Sequence, residues 1–214
     1  MSTQTQRTIA LMTLSEDLKH LKEILDNLLL LEKKATWNIV VFRYLLPEIE
    51  SLGKYLQGED KSSENAVFFI KSYFAKIDPL YIERGSFLWA VFRHGLIHNG
   101  NTLKLFTYKG KSIGAGYGFD AKKHLTLEVG EIFTFYVSTK RLIEDTIKAF
   151  QLYIEDLKTS DDLVQKYTNG FWIRVQGEWK IDDGSDSLNL ENYILRGNSR
   201  WIDSDDIAFI VKEI

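Results

Sequence analysis

Phe92-Arg93-His94-Gly95-Leu96-Ile97-His98-Asn99 is the stretch on which the reading of this chain turns. It continues the run Phe87, Leu88, Val91 and Phe92, spaced as one face of a helix, and it leads into Asn99-Gly100, a helix-ending signal. The octapeptide is thus expected in the last turns of a helix with a buried face. It carries a permanent cation and two of the four histidines in the chain. A phosphodiester calls for that combination: a fixed positive charge beside a group that titrates near neutrality. On an ideal helix Arg93 and His98 point about 140° apart, but unwinding at Gly100 lets both turn toward one ligand. His94 and His98 lie one turn apart on a shared face.

Upstream, the chain reads as helices. Thr13 and Glu16 have capping-box spacing, and Leu14, Leu18, Leu21, Leu25 and Leu28 follow as a packing stripe too short for a sustained coiled coil. A second helix is expected from about 35 to 56, with Pro47 marking a kink or a restart. Residues 58–63 form a polar loop, and Ser63 is the expected N-cap of a third helix through Phe68, Phe69, Tyr73 and Phe74, stopped by Asp78-Pro79.

Downstream, the period changes. Residues 103–108 read as a strand, Lys109-Gly110-Lys111 as a turn and 112–117 as a glycine-rich return strand; 124–127 may be counted as a third. From about Glu131 a helical period runs through Tyr136, Ile143, Ile147, Phe150, Ile154 and Leu157. Phe171 to Val175 and Trp179 to Ile181 flank Gly177 as a hairpin would, and 182–187 is an acidic loop. Periodicity leaves 206–214 open between helix and strand. The expected architecture is mainly α: a helical bundle over 10–158 with a β-hairpin insertion at about 102–128, then a small mixed α/β extension over 160–214.

Composition narrows the function. At 214 residues and 44% hydrophobic, the chain is long enough for a sizeable core. Its net charge of −3 supplies no global field for nucleic acid, so any RNA contact must be a local patch or a dimer groove. The absence of cysteine excludes disulfides, zinc ribbons and thiol catalysis. Residues 1–7 are polar, without the apolar core of a signal peptide, and no apolar run approaches about 18 residues. These features point to a cytoplasmic protein with no membrane partner.

The segment Arg93-His94-Gly95-Leu96-Ile97-His98 resembles the signature of the HEPN superfamily of helical-bundle domains: arginine, a polar residue, three more residues, then histidine, near the end of a late helix. His94 fills the polar slot. The likeness covers about residues 10–158. It implies a metal-independent endoribonuclease without a cofactor, acting at a homodimer interface as a toxin or defence effector, with RNA as substrate and a cognate antitoxin as a further partner. His98 would exchange a proton with the ribose 2′-hydroxyl or the leaving oxygen. Arg93 would hold the scissile phosphate, leaving a 2′,3′-cyclic phosphate. A second Arg93/His98 pair across a two-fold axis would supply the complementary acid or base, with His94 orienting phosphate or bridging protomers and Asn99 donating beside the site. Other members are similar in fold yet bind nucleotides or partners without catalysis, so a non-catalytic module stays open. So does a structural role, in which Arg93 pairs with Glu48 or Glu50 and His98 caps the helix.

Other constellations carry less. His94 and His98 have zinc-site spacing, but no catalytic glutamate stands between them and no cysteine completes a shell, so no metal is expected. Gly114-Ala115-Gly116-Tyr117-Gly118 reads as a tight or bulged strand, not a dinucleotide fingerprint. Lys104, Lys109 and Lys111, with Lys122 and Lys123, alternate with Phe106, Tyr108 and Tyr117; they suit either an RNA-contacting patch or a solvated hairpin face. Trp172, Trp179 and Trp201 are expected to form a small core for the extension.

Overall fold

The computed structural model describes residues 1–30, 37–93, 106–108 and 111–179. The helix-ending signal at Asn99-Gly100, the acidic loop, Trp201 and the final segment from 206 lie outside the described residues.

Helix α1 spans Thr3–Leu29 and starts well before the point that the capping-box spacing at Thr13 suggested. The Ser2 hydroxyl accepts from the N–H of Thr5 and so takes the N-cap role that Thr13 was expected to fill. The leucine stripe is a packing face as expected: Leu14, Leu18, Leu21 and Leu25 are all buried. Helix α2, Trp37–Gln57, runs through Pro47 as one element. The proline lies on its exposed side, so the carbonyl left without an N–H partner can be met by water. Helix α3 is Ser62–Tyr73, with Lys61 rather than Ser63 at the cap position. After a 3-10 turn at Phe74–Lys76, the Asp78 carboxylate accepts the N–H of Leu80 at 3.0 Å and opens α4, Leu80–Arg93. Asp78-Pro79 therefore both stops one helix and starts the next.

From Gly85 to Arg93 every residue of α4 is buried. That part of the helix is covered on all sides, whereas Ile82 and Glu83 nearer its start are exposed, and its neighbours explain the covering. Phe42 of α2 stacks on Phe92 at 4.4 Å between ring centroids, and Ile70 of α3 lies where a Cβ on Gly85 would fall. The sheet closes another side.

That sheet is larger than the expected hairpin. Among the described residues it has four strands, β1 Phe106–Tyr108, β2 Lys111–Gly118, β3 Thr126–Glu128 and β4 Phe133–Ser138, in the order β1-β2-β4-β3. The β1–β2 pair is antiparallel as read, and the third strand falls close to its expected place. The correction is β4, which the helical reading from Glu131 had absorbed. Phe133, Phe135 and Val137 alternate with Thr134 and Tyr136 at period two, and the first three are buried. Strand β4 runs parallel to β2 in unbroken register from Ile113↔Phe133 to Gly118↔Ser138, so the glycine-rich strand carries no bulge there. Its glycines make room instead: a Cβ on Gly116 would meet the Tyr136 ring at 2.8 Å, and one on Gly118 would fall on the Tyr136 hydroxyl. The inner face packs on α4 through Phe87 against Phe135, edge to face at 5.0 Å.

Ser138 ends β4 and caps α5, Thr139–Thr159, by accepting from the N–H of Arg141 at 3.3 Å. The last described element, α6, Asp161–Trp179, replaces the hairpin expected around Gly177. Val164, Tyr167 and Gly170 are buried at helical spacing, and a Cβ on Gly170 would stand 2.5 Å from the Lys54 carbonyl oxygen. That contact lets α6 lie against α2, while it also packs on α1. Arg7 of α1 donates to the Leu157 carbonyl at 3.3 Å and pairs with Asp161, joining three helix ends. Trp172 belongs to this helix and is half exposed; the side chain of Trp179 lies outside the described residues.

Candidate functional site

Arg93 ends α4 and is 7% exposed. Its Nη2 donates to Glu50 Oε2 on α2 at 3.2 Å, one of the two pairings foreseen for a structural role. The Lys54 ammonium stands 3.9 Å from the other Glu50 oxygen and 3.0 Å from Asp60. Alternating charges thus lead from the interior to the surface through Arg93, Glu50, Lys54 and Asp60, each more exposed than the last. A guanidinium has five N–H donors in a rigid fork, so a carboxylate on one nitrogen is chemically compatible with a phosphate on another.

Of the remaining sequence-derived site residues, His94, His98, Asn99, Lys104 and Lys109 lie outside the described residues. Lys111 opens β2, exposed, with its ammonium 6.0 Å from the Phe133 ring centroid. Arg93 and Lys111 therefore stand on different kinds of ground, one inside the domain and one on its surface. Lys122 and Lys123 are exposed on a 3-10 turn, Lys123 bonded to Glu128 at 2.6 Å and lying 5.5 Å from the Tyr136 ring. Tyr117 departs from the base-stacking expectation: it sits on the inner face with its ring edge-on to Phe42 at 6.2 Å.

A second constellation escaped the sequence. Tyr81 at the start of α4, His124 after the 3-10 turn, and Asp145 and Arg141 on α5 form one polar network. The Tyr81 hydroxyl lies 2.8 Å from His124 Nε2 and donates to Asp145 Oδ2 at 3.1 Å; Arg141 Nε donates to the same oxygen at 3.0 Å. Two donors on one carboxyl oxygen describe a carboxylate. With the phenol proton committed to Asp145, the Tyr81 oxygen accepts from an Nε2–H of a neutral His124. Burial and then Arg141 lower the His124 pKa to about 4, while Asp78 and the Ser138 backbone push the other way without prevailing. Burial raises Asp145, against the opposing pull of Arg141 and the Tyr81 hydrogen bond. Burial likewise lifts Tyr81 well above the ordinary phenol value, with Asp145 adding to it.

One sequence signal does mark this network. Leu142, Asp145, Thr146, Ala149 and Tyr153 are all buried on α5, so a carboxylate stands in a core-facing stripe four residues after an arginine. No local pattern ties either residue to Tyr81 or His124. Among the described residues, no group of three or more His, Cys, Asp or Glu side chains is placed to hold a metal ion.

Neither family models, curated proteins nor solved structures yield a match to this chain. Among the described residues, no helix is long and apolar enough to cross a membrane.

Proposed function

We propose that the protein is a metal-independent endoribonuclease of the HEPN type, a homodimeric toxin or defence effector in which Arg93 grips the scissile phosphate and His98 exchanges the proton. The observation that carries this reading is the place of Arg93: the last residue of a helix that is buried from Gly85 onward, paired there with Glu50, with the rest of the motif following directly in the chain. A guanidinium fixed before substrate arrives loses little entropy on binding phosphate. RNA is the substrate class, exposed Lys111 supports its backbone, and a cognate antitoxin is the natural restraint on such an activity.

A second reading rests on the same pair. An arginine buried against a glutamate is also how a helix end is pinned, and it favours a non-catalytic nucleotide-binding or interaction module. The test is cleavage of a labelled RNA panel in EDTA by the wild type and by Arg93→Ala, Arg93→Lys and His98→Ala, with folding and dimerisation checked for each. Cleavage with cyclic-phosphate ends that all three substitutions abolish is the expected result. No cleavage by a folded wild-type dimer, or equal cleavage by all four proteins, overturns the ribonuclease in favour of the module.

A further inference from the structure

The segment that carries His124 lies at one edge of the sheet, where β3 pairs with β4 alone. Asp120, Ala121, Lys122 and Lys123 are exposed, β3 is three residues long at the sheet edge, and His124 and Leu125 are buried while Leu127 packs part-buried on the core. Three ties hold it to the helices: the His124–Tyr81 hydrogen bond, the donation of Arg84 to the Leu125 carbonyl, and burial of the Leu125 side chain. Leu125 pays for its place with φ +55, a left-handed conformation that leucine adopts at a cost of roughly 1 kcal/mol or more. A short, mostly exposed and strained segment with so few ties to the helices is placed to let go before the rest of the domain does.

We propose that the Tyr81–His124–Asp145–Arg141 network is a proton-controlled latch, which holds residues 120–128 on the helices while His124 is neutral and releases them, with the helical bundle still folded, when His124 is protonated.

The groups facing His124 fix the direction. From α4 and its start come Tyr81, Asp78 and, one residue away on the Leu125 carbonyl, Arg84. From α5 come Asp145, 3.9 Å from Nε2, and Arg141; β4 contributes only the Ser138 backbone. On its own segment, Asp120, Lys122, Lys123 and Glu128 lie in solvent. The Asp145 carboxylate is already engaged by Tyr81 and Arg141, so an imidazolium in this place is desolvated and stands near a guanidinium. Once released into water, the ring recovers its ordinary pKa near 6.5. The released form therefore binds the extra proton, and it gains on the closed form as pH falls from about 6.5 toward 4. Asp145 works the other way, because burial raises its carboxyl and a proton taken up there favours the closed form; an Asp145→Asn variant removes that opposing contribution.

Native-state hydrogen exchange read by NMR tests the latch. Corrected for intrinsic exchange, the protection of the amides of residues 124–128 should fall about 30-fold between pH 7.5 and 5, while amides at Phe42 in α2 and Phe150 in α5 keep theirs. In His124→Gln the fall should vanish, and in Asp145→Asn it should persist. The wild-type His124 ring signal should titrate below pH 5, a measurement that needs no variant to fold. A segment whose protection changes less than about threefold, a loss shared equally by α2 and α5, or a ring that titrates at pH 6 or above overturns the proposal.

Discussion

Arg93 and Glu50 give the sharpest account of what the buried end of α4 contributes, through a double-mutant cycle on stability. At 3.2 Å and an effective dielectric of about 20, two unit charges attract by about 5 kcal/mol. Desolvation offsets much of that, since the two side chains are only 9% and 16% exposed. The expected coupling energy is about 2 kcal/mol. Arg93→Ala should cost less than the roughly 3–5 kcal/mol of a stranded buried charge, because Lys54 stands 3.9 Å from the carboxylate left behind. Glu50→Gln should cost about 2 kcal/mol by leaving a buried guanidinium beside a neutral amide. The double variant should then be less destabilised than the two singles together by the coupling energy. Urea unfolding of the four proteins at pH 7 measures each arm, provided the m-values agree. A coupling below about 0.5 kcal/mol would mean that the pair is not held in solution and that Arg93 is positioned by packing alone. The same numbers matter for chemistry: a loss below about 3–5 kcal/mol leaves an ordinary domain folded, so the Arg93→Ala protein can be assayed for cleavage.

Two glycines that look alike in sequence should respond differently to alanine. At Gly170 the new Cβ meets the Lys54 carbonyl oxygen at 2.5 Å and the Tyr55 Cα at 3.0 Å, backbone that cannot yield, so about 2–3 kcal/mol should be lost in urea unfolding. At Gly118 it meets the tip of the half-buried Tyr136 side chain, which can swing aside, and the loss should stay below about 1 kcal/mol; the reverse order would contradict the packing described. Tyr81→Phe removes the hydroxyl that joins His124 to Asp145 and should cost about 2 kcal/mol at pH 7.5, whereas a change under about 0.5 kcal/mol in the same assay would show the network unformed in solution.

What the sequence disclosed follows from how far each signal reaches. The leucine stripe of α1 and the apolar face of α5 repeat a helical period over several turns, and both helices are present, although α1 starts earlier and α5 later than the period placed them. β4 was missed because Phe133 to Val137 runs directly into α5 with no glycine or proline between, so the longer period swallowed the shorter. α6 was missed for the opposite reason: Phe171-Trp172-Ile173 has strand-like composition, and the glycine that allows close helix packing at 170 reads locally as a breaker. Arg93 stood out in the sequence through its motif, and its pairing with Glu50 was one of two pairings foreseen. The His124 network was not, because Tyr81 and His124 stand 43 residues apart and meet only through the fold.

These two polar anchors bear on how α4 is oriented, and on what a substitution at Arg93 can reveal. A surface helix is turned to its correct face by its apolar stripe, but the part of α4 from Gly85 to Arg93, buried on every side, gains little from such a preference. Tyr81 and Arg93 sit twelve residues apart, about 18 Å along the axis and about 120° around it. One reaches Asp145 on α5 and the other Glu50 on α2, so each rotation or slide of α4 that keeps it buried would break a charged contact. Buried polar pairs add little net stability against apolar replacements, yet they penalise the wrong register strongly. Arg93 thus has sufficient reason to be where it is without any substrate, and its loss alone confounds orientation with chemistry. Arg93→Lys separates them. A lysine keeps the charge for Glu50 but loses the planar fork that grips phosphate through two nitrogens. A protein that retains wild-type stability with lysine yet cleaves no RNA would place the requirement on the fork, which the orienting role does not need.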